Sequence, residues 1–229
     1  MKIPDIFVPE KNFECNIEKL LKEPQEPIGA QPKYAKFEVI HANTYAEGIA
    51  KLKDKNQMPF TFAENVEAHI ADYEANGDNA ELFKTWLDSV TGIAYKAHST
   101  NFKLILRSDK LENIKPDFNQ GFIPIDYNVE NGIELDSKKG KYNQLLTREE
   151  VKNHEFWLAV MGSDKEKLAE YVDIWFDKTK SEKGMGVYLR SNTDCDELRA
   201  LVLNGDNSNS DADGSGGLCD IARFVAGAQ

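Results

Sequence analysis

The segment 209–220, NSDADGSGGLCD, has the metal-binding spacing that stands out most in the chain. Asn209, Asp211 and Asp213 put oxygen side chains at loop positions 1, 3 and 5, Gly214 stands at 6 and Asp220 at 12, the EF-hand order that wraps calcium in carboxylate and carbonyl oxygens. Three departures weigh against it. Position 1 is Asn, position 12 is a short Asp where a bidentate Glu is usual, and position 8 is Gly216 instead of an apolar residue. No helix leads into the segment, because 198–203 reads as a strand. The pattern favours a polar loop joining two strands, with a calcium-stabilised module as an alternative.

Nucleophilic chemistry has fewer candidates. The imidazoles are His41, His69, His98 and His154, and no metal-ligand spacing joins any two of them. His69, beside Val66 and Tyr73 on a helix, reads as a hydrogen-bonded core residue, as does His154 after Val151. His98, in Ala97-His98-Ser99-Thr100, reads as a loop residue. A small hydrolase or transferase site could assemble only in space, from His41 or His98, Asp88 or Asp194, and Cys195 or Cys219. GxSxG, a P-loop and a GxGxxG after a strand are all absent, and Gly184-Met185-Gly186 precedes a strand instead of following one. Trp86, Trp157 and Trp175 read as core anchors and not as a ligand cage.

Composition narrows the partners. Of 229 residues, 39 are acidic and 28 basic, a net charge of −11 that repels phosphate backbones and anionic headgroups. Nucleic acid and membrane surfaces are therefore not expected partners, and the basic run Lys138-Lys139-Gly140-Lys141 reads as a solvated turn. The opening MKIPDIFVPEK lacks the apolar core of a secretory signal, and the longest apolar run, 156–161, is too short to span a bilayer. Cys15, Cys195 and Cys219 form no CxxC pair, which argues against zinc and against a disulfide framework and fits a cytoplasmic setting. A Cys195–Cys219 bridge would require the last strands to pair.

The elements that must hold these residues are clearest in 58–107. Thr61 and Glu64 form a capping box, Phe62, Val66, Ile70 and Tyr73 recur at helical spacing, and Asn76-Gly77 closes the helix. Asp78 and Glu81 then suggest a second helix with Leu82, Phe83, Trp86, Leu87 and Val90 on one face, making a helical hairpin. Phe102, Leu104 and Leu106 alternate as a strand does. Upstream, 17–22 reads as a short helix before a Pro-rich linker, 34–41 as a strand and 44–55 as a helix. Downstream, 122–127 reads as an edge strand interrupted by Pro124, and 133–136 as a strand. Thr147 and Glu150 form another capping box ahead of a helix reaching Met161, and Ser163 with Glu166 caps a longer one whose stripe is Leu168, Val172, Trp175 and Phe176. Strands follow at 187–190 and 198–203, and 221–226 reads as a terminal strand or short helix.

AELFKTWLD at 80–88 lines up with AEYVDIWFD at 169–177, sharing Ala, Glu, Trp and Asp. This suggests either an internal duplication of helix, helix and strand or two amphipathic helices with a common pattern. The stretches TWLDSVTGIAYKAHSTNFKLI, LTREEVKNHEFWLAVMGSDKEKLAEYVD and ARFVAGAQ resemble a group of uncharacterised soluble proteins from archaea with small genomes. That resemblance brings no activity, cofactor or site residue, and implies only a prokaryotic, cytoplasmic setting.

The expectation is an α+β protein with two helical hairpins packed on a small, mainly antiparallel sheet. Residues 1–32 form an N-terminal arm and linker, and 33–229 a single domain, with 33–115 and 116–229 as possible related halves. Its core includes Phe62, Val66, Ile70, Phe83, Trp86, Leu87, Leu104, Trp157, Leu158, Val172, Trp175 and Phe176. The expected function is non-catalytic binding of a protein or small-molecule partner, without a cofactor.

Overall fold

A computed structural model describes residues 37–205 and 210–227. The N-terminal arm, the short helix expected at 17–22, and Asn209 lie outside the described residues. The chain enters through β1 (Phe37–Ala42) and α1 (Tyr45–Asp54), whose Thr44 side chain accepts a hydrogen bond from the Glu47 N–H. In α2 (Phe62–Asn76), Thr61 and Glu64 satisfy each other's backbone N–H groups as the capping box requires, and the helix stops at Gly77 with φ +55°.

The second helix expected after Gly77 is absent. Two 3-10 turns, Gly77–Asn79 and Leu82–Lys84, lead instead into the long strand β2 (Trp86–Tyr95). The reason is burial on both faces. Ile93 and Tyr95 enter one core while Val90 and Ala94 enter another, so the strand shows no clean polar alternation and its apolar residues imitate a helical stripe. The helix expected to reach Met161 is also two short pieces, α4 (Arg148–Lys152) and α5 (Glu155–Val160); α4 follows the short helix α3 (Asp109–Glu112) in chain order. In α6 (Lys165–Thr179) the cap is not Ser163, which takes φ +67° after Gly162, but Asp164, whose carboxylate accepts from the Lys167 N–H. The aligned stretches 80–88 and 169–177 thus adopt different structures, the second wholly helical and the first running from a 3-10 turn into strand. Among the described residues no pair of helical hairpins forms.

The remaining strands are β3 (Asn101–Ile105), β4 (Ile123–Pro124), β5 (Ile133–Asp136), β6 (Leu145–Thr147), β7 (Lys183–Tyr188), β8 (Glu197–Asn204), β9 (Ser210–Asp213) and β10 (Ala222–Gly227). Among the described residues they build a mixed eight-stranded sheet in the order β5-β3-β2-β8-β9-β7-β6, with β4 added to β8. Every pairing is antiparallel except β7 with β9, which is parallel. A separate antiparallel ribbon joins β1 to β10. Gly184 and Gly186 sit within β7: a Cβ at Gly184 would lie 1.9 Å from the Trp175 ring, so the glycine there makes room for the indole.

One face of the sheet packs on α2 and α6 through Phe62, Val66, Tyr171, Val172 and Trp175 against Ile93, Leu104, Leu201 and Ala212. The other packs on α1 and the β1–β10 ribbon through Tyr45, Ile49 and Phe224 against Val90, Ala94, Leu198 and Ala200. The expected core residues are buried except Trp86 and Leu158, which are partly exposed.

Candidate functional site

The site begins with a break in β2. Asp88 faces Val202 and Gly92 faces Ala200, so Ser89, Val90 and Thr91 stand against Leu201 alone. A bulge of this kind re-aims side chains but strands backbone groups that must find partners elsewhere. Here they do. The Ser89 hydroxyl donates to Leu201 O at 2.6 Å, and the Tyr45 hydroxyl donates to Ser89 O at 2.9 Å. The Val90 N–H donates to Phe60 O at 2.9 Å, and Val90 O accepts from the Ser108 N–H at 2.8 Å. Thr91 Oγ1 donates to Leu106 O at 2.6 Å and accepts from the Phe62 N–H at 2.9 Å, while Asn65 Nδ2 donates to Asp88 O at 3.1 Å.

The first residues of β2, ahead of the bulge, border an open hollow of about 490 Å³. Trp86 and Asp88 come from β2, and Ala200, Val202 and Asn204 follow at strand period along β8. Asp213 closes it from the end of β9, and the turn toward β10 adds Gly216, Gly217, Leu218, Asp220 and Ile221. Ile221 is 62% exposed, an apolar side chain left at the rim.

Asp88 is only 7% exposed. Its Oδ2 accepts the Arg223 backbone N–H at 2.9 Å. Burial pushes its carboxyl up to about 7, opposed by that hydrogen bond and the Arg223 charge and reinforced by Asp220. Arg223 stacks its guanidinium 3.4 Å from the Trp86 ring centroid and donates from Nη1 to Thr85 Oγ1 at 2.8 Å. The turn is held in place by Arg199, which donates to Gly216 O at 2.9 Å and pairs in the interior with Glu197 at 2.7 Å.

The residues singled out from sequence are distributed as follows. Asp211 lies in β9 opposite Asn204, outside the hollow's lining. Asp213 Oδ1 accepts from the Ser215 N–H and hydroxyl at 2.7 and 2.6 Å, and Asp220 Oδ2 accepts from the Gly217 N–H at 3.1 Å. Among the described residues no group of three or more His, Cys, Asp or Glu is placed to hold a metal ion. His41 lines a separate hollow with Lys51 and Asp54. His98 sits in an exposed turn with φ +51°, its N–H on Thr193 O, near exposed Asp194 and Cys195. Cys195 and Cys219 are both free thiols on the surface. Asp88 is therefore in the hollow, with no imidazole among its lining residues.

The two other histidines hold structure. His69 is buried with Nδ1 3.4 Å from the Tyr171 hydroxyl, and burial lowers it to about 3, so it stays neutral. His154 caps α5, its Nδ1 accepting from the Phe156 N–H at 3.3 Å. Trp86 and Ile221 were not legible as site residues. The one signal was Asp88 itself, the one charged residue of its strand and two residues from an indole.

No protein-family model matches the sequence, and no curated protein matches it. A solved structure from Nanoarchaeota, concerned with how the C-type lectin fold accommodates massive sequence variation, superposes with a TM-score of 0.67. The match is 16% identical and covers 86% of this chain and 100% of that one. The fold thus resembles that of the C-type lectins. No helix among the described residues is long and apolar enough to cross a membrane.

Proposed function

We propose that the protein is a non-catalytic binding module whose contact surface is the hollow between β2, β8, β9 and the turn into β10. The observation that carries this reading is Asp88, a carboxylate withdrawn from solvent beside a partly exposed indole, in a concavity of about 490 Å³ with an exposed Ile221 at its edge. Burying a charge is costly, and a fold seldom keeps one at a surface hollow without a use for it. The volume falls within the range of ordinary ligand pockets, and polar groups over an apolar floor are their usual lining. The likeness to a C-type lectin fold that tolerates massive sequence variation in another protein supports a scaffold whose surface residues serve recognition.

A random peptide library selected on the purified protein tests the reading. Binders should be recovered and should fail on Val202→Trp, which fills the hollow, when that variant melts like the parent. Binders indifferent to Val202→Trp would place recognition elsewhere and end the proposal.

A further inference from the structure

Building on that binding site, we infer that the hollow accepts a cationic side chain, arginine or lysine, presented by a partner protein. Three carboxylates, Asp88, Asp213 and Asp220, line it, and among the described residues no lysine, arginine or histidine does. Asp88 carries the argument beyond a mere acidic cluster. It is more than nine-tenths buried, takes one side-chain hydrogen bond from outside its own residue, on Oδ2, and has no ion pair among the described residues. A buried carboxylate with spare acceptor capacity gains most from a cation delivered to it.

The arrangement also favours an organic cation over a metal ion, because among the described residues no group of three or more His, Cys, Asp or Glu is placed to hold a metal. Ala200, Val202, Leu218 and Ile221 offer apolar surface for a methylene stem, while the carboxylates meet its charged head. The net charge of −11 draws positively charged partners from a distance. The Arg223 guanidinium already rests on one face of Trp86, an internal example of the contact.

The titratable and charged groups that face Asp88 are Arg223 from β10, Asp220 and Asp213 from the far rim, and Tyr45 from α1. Burial raises Asp88 to about 7, so cation binding should strengthen as pH rises from 6 to 8.

Nitrogen-15 correlation spectra recorded during titration with Nα-acetyl-arginine amide, Nα-acetyl-lysine amide and Nα-acetyl-glutamine amide test this. The cationic probes should shift the amides of Trp86, Asp88, Asn204 and Ile221, and the neutral probe should not. Affinity should be several-fold higher at pH 8 than at pH 6. Asp88→Asn, whose amide oxygen can still accept from Arg223, should weaken binding about tenfold and remove the pH dependence. Asp220→Asn, on an exposed turn, should weaken it less and serves if the first variant folds poorly. Equal shifts from all three probes, or none from the cations, overturn the inference. The binding-site reading would survive that result if peptide binders still depend on Val202, and both fall if they do not.

Discussion

The Arg223 guanidinium lies 3.4 Å from the centroid of the Trp86 ring, so a residue of the last strand covers the first residue of the central one. The same Arg223 gives its backbone N–H to Asp88, and its Nη1 reaches Thr85. One residue thereby fixes the β1–β10 ribbon against the edge of the hollow. Arg223→Ala removes the stack and the Thr85 contact and should cost about 1–2 kcal/mol in urea unfolding. Arg223→Met, keeping bulk without charge, should recover part of that. No loss in the alanine variant would show that the ribbon is held by Phe224 and its neighbours alone.

Thr91 is the keystone of the bulge, because its hydroxyl serves two backbone groups at once. Thr91→Val keeps the shape and leaves the Phe62 N–H and Leu106 O without that partner. The expected cost is about 2–3 kcal/mol, or a melting midpoint about 5–10 °C lower. Calorimetry decides it, and a shift under 2 °C would mean that other groups had taken over both bonds.

Asp88 should make stability depend on pH with a sign opposite to that of most carboxylates. Its folded value is raised to about 7, against about 4 in an unfolded chain, so the native state holds the extra proton between those limits. Stability therefore falls as pH rises from 4 through 7, and the full penalty is present above that. Asp88→Asn removes it. Relative to the parent, the variant should gain on the order of 2–4 kcal/mol from pH 5 to pH 8 in urea titrations. Parallel pH profiles for the two proteins would contradict the assignment.

Millimolar calcium should leave the melting midpoint unchanged within about 1 °C, since a ligand that binds the native state selectively would raise it. The carboxylates at loop positions 5 and 12, Asp213 and Asp220, already accept N–H groups of their own turns, and Asp211 belongs to a strand. A rise of several degrees, abolished by Asp213→Ala, would restore the calcium reading.

Local structure is determined by residues close together in the sequence. Both capping boxes, Thr61 with Glu64 and Thr147 with Glu150, depend on groups three residues apart, and the Leu168, Val172, Trp175, Phe176 stripe depends only on helical repeat. The strand β3 also announced itself by the alternation of Phe102 and Leu104, although Ile105 enters the second core. What tertiary structure decided is everything fixed by contacts far apart in the chain. The bulge in β2 relies on Leu201, 112 residues from Ser89, and Asp88 is fixed at the hollow by the Arg223 backbone N–H of β10, 135 residues away. Because β2 is buried on both faces, its sequence carries no mark of which face is which. The same apolar letters fit a helix until neighbouring strands claim their backbone hydrogen bonds, and only that claim turns Asp88 toward an open surface.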